Sequence, residues 1–224
     1  MPTGNVLHRV VPTEALPGRY WHVYPHQYDA RSSNPNSTAR LAWRDGAHGM
    51  FYTGASPAAA PWETVLRYAE VNAGVVSTSR THLEGMALAQ LTLGHAVPAL
   101  DLRPPFRRQL VDAGSALDGY WDQMLKEPDH DKTHVVTDAV MRELQRAGHP
   151  AGAALIWHSR QAGSETATLF FEPPMQAAWW TVDAVHRLDT HAGHDVIAGS
   201  LDAQGLVWRG AAVGPGFDPP AEIF

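Results

Sequence analysis

The chain contains no cysteine, which removes disulfide scaffolds, thiolate catalysis and cysteine-based zinc sites together. That absence fits a reducing compartment, and the cytoplasm is the expected location. Basic density is also missing. Lys and Arg number 17 against 23 Asp and Glu, for a formal net charge of −6. A surface of that sign does not suit a phosphate backbone, so direct nucleic-acid binding is not expected. No apolar run approaches the roughly 20 residues that span a bilayer, so no membrane association is expected. Met1-Pro2-Thr3-Gly4-Asn5 lacks the cationic stretch and apolar segment of a secretory signal. GxGxxG, P-loop, HExxH and GxSxG motifs are all absent. Neither an internal repeat nor a convincing linker is visible. This predicts a single domain over residues 1–224, with its core at about 20–172 and a strand-rich extension over 173–224.

What is present is enough apolar material, 44% of 224 residues, for one sizeable core. Tyr20-Trp21-His22-Val23-Tyr24 reads as a first strand, and the Ser/Asn/Pro-rich stretch from Pro25 to Ala39 as an exposed loop. Gly49 to Thr53, closed by Gly54, is a short buried strand. A helix is expected next, capped at Ser56 with Pro57 first, or starting nearer Trp62, and running to about Glu70. Met86–Leu93 and Ala99–Leu102 read as strands, and Pro105–Ala113 as a helix stopped by Gly114. Val136, Val140 and Leu144 share one face of a helix predicted over Val135–Ala147, ended by Gly148. Ala153–Trp157 and Thr166–Phe171 form a strand pair around a polar turn at Gln161–Glu165. Val196–Ala198 and Leu206–Trp208 are expected strands of the tail, with Trp179-Trp180 as core or interface packing. Helices and strands interleave irregularly, which predicts a mixed α/β (α+β) fold rather than a regular doubly wound sheet.

The 13 histidines invite a metal reading. His130 and His134 stand near Asp129 and Asp131, and His191 and His194 stand beside Asp195. Such spacings suit a divalent ion, but neither cluster has a third ligand in a recognised pattern, and no metal is expected.

The informative residues form an ordered set. Ala39-Arg40-Leu41-Ala42-Trp43 is followed by Met50-Phe51-Tyr52-Thr53-Gly54-Ala55-Ser56 and then Ala59-Ala60-Pro61-Trp62-Glu63. Later, Gly152 to Arg160, carrying Ser159, leads through a polar turn into Ala167-Thr168-Leu169-Phe170-Phe171. Over about residues 20–172 this resembles the RES family, whose name records an Arg, a Glu and a Ser. The chain departs from that pattern at three points. Ala39 replaces the Gly before the Arg, Trp43 comes two residues late, and His22 stands where many members carry a first-strand Arg. Arg19 and Arg31 are the other substitutes for that Arg.

The resemblance implies a fold similar to ADP-ribosyltransferases, with a split β-sheet, and an NAD-consuming toxin paired with an Xre-type helix-turn-helix antitoxin. NAD would be a substrate, broken by hydrolysis or phosphorolysis at the nicotinamide–ribose bond. Alternatives are a protein ADP-ribosyltransferase using the same pocket and an inactive relative that binds a partner protein. A homodimer is an allowed assembly. In NAD the nicotinamide is already a cationic leaving group, so the barrier is an oxocarbenium-like ribose that needs nearby negative charge and rigid positioning. On the resemblance, Glu63 supplies the carboxylate, Arg40 a fork for the pyrophosphate, and Tyr52 a ring against the nicotinamide. Ser159 hydrogen-bonds ribose or carboxamide, and His22 holds a ribose.

Overall fold

The computed structural model describes residues 13–104, 106–109, 116–146, 148 and 152–212. In chain order they form β1 (Thr13–Ala15), β2 (Gly18–Pro25), β3 (Gly49–Gly54), α1 (Ala59–Glu63), β4 (Glu70–Asn72), β5 (Val75–Ser79) and α2 (Arg80–Leu83). Then come β6 (Met86–Leu93), β7 (Val97–Asp101), α3 (Ala116–Lys126), α4 (His130–Arg146), β8 (Ala154–His158) and β9 (Thr166–Glu172). The described part ends with β10 (Trp180–Arg187), α5 (His191–Asp202) and β11 (Val207–Ala212). The fold is mixed α+β. Eight strands form one sheet in the order β1-β7-β8-β9-β3-β2-β6-β10, and three form a second in the order β11-β5-β4. In the large sheet only β7 and β8 are parallel neighbours.

Both faces of the large sheet are covered, so its central strands are apolar on both sides. The period of two sorts them. Leu155, Trp157, Leu169 and Phe171 enter one cluster with Trp121 and Met124 of α3 and Val136, Met141 and Leu144 of α4. Ala154, Ile156, Phe170 and Phe51 point the other way, toward Trp180 and Met175. A third cluster joins Val23 and Leu88 to Trp62, Val76, Ile197 and Leu201, tying α1, the small sheet and α5 to the β2–β6 half.

Several boundaries differ from the sequence expectation. The helix expected to reach Glu70 is only α1; Thr64 leaves helical geometry (φ −128°, ψ −99°) and Glu70 opens β4. Val196–Ala198 is not a strand but the middle of α5, capped by Thr190, whose hydroxyl oxygen accepts from the Gly193 N–H. Gly193, Ile197, Ser200 and Leu201 are its buried residues, a helical spacing that a short apolar run disguised. The helix α4 starts at His130, five residues before the expected Val135, because His130, Thr133 and His134 at its polar start are buried while Asp131 and Lys132 face outward. His130 Nδ1–H donates to the Thr38 carbonyl at 3.1 Å and His134 Nε2–H to the Ala39 carbonyl at 3.0 Å. These two histidines therefore act as anchors for the chain just before Arg40. Of the helix expected over Pro105–Ala113, residues 106–109 form a 3₁₀ turn. Its other residues, Gly114, Ala147 and the Met1–Asn5 stretch lie outside the described residues. Among the described residues, no helix is long and apolar enough to cross a membrane.

The two halves of the large sheet separate between β2 and β3, which pair through one residue pair, Trp21 with Gly54. Past that point the ladder is replaced by a side chain. His22 Nδ1–H donates to the Tyr52 carbonyl at 2.6 Å, and the strands splay around the imidazole. Gly54 is required at the hinge, because a Cβ there would lie 2.5 Å from the Ala60 nitrogen and 2.8 Å from Ala59 Cβ. The missing side chain lets α1 close directly onto the end of β3.

Candidate active site

A cleft of about 460 Å³ opens where β2 and β3 part, a size typical of small-molecule sites. Four of the five residues singled out from the sequence line it: His22, Arg40, Tyr52 and Glu63. They reach it from β2, the segment before β3, β3 itself and α1.

Glu63 ends α1 and faces the turn between β8 and β9. Its Oε1 accepts the Ser159 hydroxyl and, at 2.9 Å, the Arg160 backbone N–H. The Ser159 Oγ in turn accepts the Ala162 N–H at 2.9 Å, and Ser159 N–H donates to the Glu165 carbonyl at 2.7 Å. Ser159 is buried and does not line the cleft. It stands behind the carboxylate as a positioning residue, rather than at the ribose or carboxamide expected from the sequence. Charge-assisted hydrogen bonds of this kind are short and directional, so Oε1 of Glu63 is pinned, and Oε2 accepts neither of these two bonds.

Arg40 is buried, and among the described residues it forms no ion pair; Nη1 makes only a 3.4 Å contact with the Met124 carbonyl. Burial, then repulsion from Arg67 and Arg160, pulls its pKa down to about 10, against the pull of Glu63 and Glu127. The segment is strained, and burial and hydrogen bonds hold it against that strain. Leu41 adopts φ +61°, a left-handed conformation that costs a β-carbon-bearing residue about 1–2 kcal/mol. Burial of its side chain and a 3.2 Å bond from its N–H to Thr133 Oγ1 hold it there. This turn sends Leu41, Ala42 and Trp43 into the core while Arg40 lines the cleft.

Tyr52 donates its hydroxyl to the Arg40 carbonyl at 3.0 Å, and burial raises its pKa. The hydroxyl thus holds the arginine segment. His22 is buried between Tyr24, stacked at 5.5 Å, and Phe51 at 4.3 Å. Burial drives its pKa down to about 4, so the ring is neutral. With Nδ1 as donor, Nε2 is an acceptor, and it has no hydrogen-bond partner among the described residues.

Sequence reasoning missed two arginines. Arg67, one turn beyond Glu63, lines the cleft and donates through Nη2 to His130 Nε2 at 2.5 Å. Burial and the Arg67 charge hold His130 down to about 4, which keeps it the neutral acceptor this bond needs. Arg160 lines the cleft beside the Ser159 latch; adjacency to Ser159 was its only signal. The loop expected to be exposed is exposed over much of its length, but it also forms a wall of the cleft, with Ala30 and Ser37 buried and Asn34 bridged to Met50 of β3. Among the described residues, no group of three or more His, Asp or Glu side chains is arranged to hold a metal ion.

The fold and site define a mixed α+β protein whose splayed sheet carries a carboxylate and three guanidiniums in one cleft. Comparison of the chain with protein-family models, with characterised proteins and with solved structures gave no significant match.

Proposed function

We propose that the cleft binds NAD and cleaves its nicotinamide–ribose bond, making the protein an NAD-consuming toxin of the kind its RES-like sequence implies. The observation that carries this reading is that Glu63, pinned through one oxygen, shares the cleft with a buried Arg40 that has no ion pair among the described residues. A cleft with three guanidiniums and one carboxylate, on a chain of formal net charge −6, is built for an anion that also presents a cationic centre. NAD is such a molecule, with a pyrophosphate and a pyridinium–ribose bond. In the reaction, that C–N bond breaks and its electron pair leaves with nicotinamide. The free oxygen of Glu63 faces the developing positive charge on the ribose. Water or phosphate then adds to the anomeric carbon and gives up its proton. Arg40, with Arg67 and Arg160 nearby, neutralises the pyrophosphate. On the same reading the protein acts in the cytoplasm, and an Xre-type helix-turn-helix antitoxin silences it by covering the cleft.

The test is nicotinamide release from NAD by the wild type and by Glu63→Gln, which keeps the shape and removes the charge. Release should fall at least about 100-fold, with NAD still bound; equal rates end the proposal. Mass spectrometry of the products separates ADP-ribose, its phosphate and an ADP-ribosylated protein, and so assigns the acceptor.

A further inference from the structure

We infer that Tyr28 is the stacking surface for the purine base of a nucleotide bound in the cleft, with Asn36 reading the base edge. This rests on the proposed NAD-binding role of the cleft and assigns the half of the ligand that the catalytic groups do not touch.

Distinct chemical groups are ordered along β3. At its Gly54 end, Gly54 pairs with Ala167 and the Ala55 N–H donates to the Thr166 carbonyl at 2.9 Å. The β8–β9 turn with Ser159 and Arg160, and α1 with Glu63, therefore gather there. Mid-strand, Tyr52 holds Arg40. At the other end Met50 is bridged to Asn34 by backbone bonds of 2.8 and 3.0 Å. Antiparallel β2 runs its Pro25 end in the same direction and delivers Tyr28 to that side. Gly54 and Met50 are four residues apart, about 13 Å at the usual rise of a strand. A carboxylate, then a guanidinium, then an aromatic ring and amides is the order in which an extended dinucleotide presents its reactive ribose, its phosphates and its second base.

Tyr28 is 59% exposed although it lines the cleft, and its ring makes no aromatic pair among the described residues. Its backbone, by contrast, is fixed on both sides. The Tyr28 N–H closes a turn onto the Pro25 carbonyl at 3.0 Å, and the His26 N–H donates to the Gly85 carbonyl at 2.9 Å. Asp29 accepts the Arg31 N–H at 2.8 Å and pairs with its guanidinium. A free ring on a fixed backbone loses little conformational freedom when a base settles on it. On the same wall, Asn34 Oδ1 accepts the Asn36 N–H at 2.9 Å, which fixes the backbone of Asn36 and leaves its exposed amide to offer a donor and an acceptor side by side. That pair matches the N6 and N7 positions of adenine.

Calorimetry on the full chain with ADP, nicotinamide mononucleotide and NAD tests this. Tyr28→Ala should weaken ADP and NAD about tenfold, the scale of one base–aromatic stack, and leave the mononucleotide unaffected. Tyr28→Phe should bind all three as the wild type does. An equal loss for the mononucleotide, or unchanged ADP affinity in Tyr28→Ala, overturns the assignment. If the wild type binds ADP in a Tyr28-dependent way yet releases no nicotinamide from NAD, the base site stands and the proposed reaction falls. If it cleaves NAD with the same KM in Tyr28→Ala, the base site alone falls, and if it binds no nucleotide both do.

Discussion

Replacing His22 by asparagine separates the two things this residue does. Asparagine keeps a donor near the position of Nδ1, facing the Tyr52 carbonyl, but cannot titrate. In the wild type, burial lowers the imidazole from its ordinary 6.5 to about 4. The group is therefore neutral in the folded protein at pH values where the unfolded chain would already protonate it. Its contribution to stability is intact above pH 6.5 and is lost as pH falls from 6.5 toward 4. A pKa difference of one between the folded and unfolded chain is worth about 1.4 kcal/mol, so the whole displacement amounts to roughly 3 kcal/mol, with about 2 kcal/mol of it gone by pH 5. Urea unfolding of both proteins from pH 7.5 to 5 reads this directly. The variant starts less stable, because it loses the ring between Tyr24 and Phe51. The gap should then narrow by about 2 kcal/mol on acidification. His130, also held near 4, is present in both proteins and cancels in the difference. Parallel stability curves would refute the reasoning, since they would mean that His22 is hydrated or paired when the protein folds.

Two further substitutions probe how the carboxylate is placed. Ser159→Ala removes the hydroxyl that bonds Glu63 and accepts from Ala162. It should cost about 1–3 kcal/mol in thermal unfolding and lower kcat for nicotinamide release with KM nearly unchanged; a raised KM with intact kcat would mean that Ser159 touches substrate after all. Gly54→Ala drives a methyl group against the Ala60 nitrogen, so it should destabilise by about 1–3 kcal/mol and slow turnover by displacing α1. Wild-type stability and rate in that variant would show that the methyl group is accommodated without displacing α1.

Much of the sheet was legible because its central strands are short, nearly continuous apolar runs bounded by turn residues. Met86–Leu93 is the expected strand residue for residue, and Ala153–Trp157 and Thr166–Phe171 are shifted by a residue at most. Illegible segments were those whose pattern serves a neighbour. His130 and His134 at the polar start of α4 are buried against Thr38 and Ala39, whose carbonyls they bond, and β4, all of it exposed, exists only as the partner of β5. For the site, Arg40, Tyr52, Glu63, Ser159 and His22 were nameable as candidates. Arg67 carried no signal, because an arginine on an exposed helix face and one lining a cleft look alike in one dimension.

By itself the sequence determined the mixed α+β class, the strands of the core and which polar side chains stand out from it, since these follow from local periodicity and residue chemistry. Only the tertiary structure decided that β2 and β3 part after one residue pair, that Ser159 stands behind Glu63 instead of in the cleft, and that three arginines meet there. Those outcomes depend on contacts between residues far apart in the chain: Glu63 and Ser159 are 96 positions apart. A hydrogen bond at that separation is set by how whole elements pack, and no local pattern encodes it.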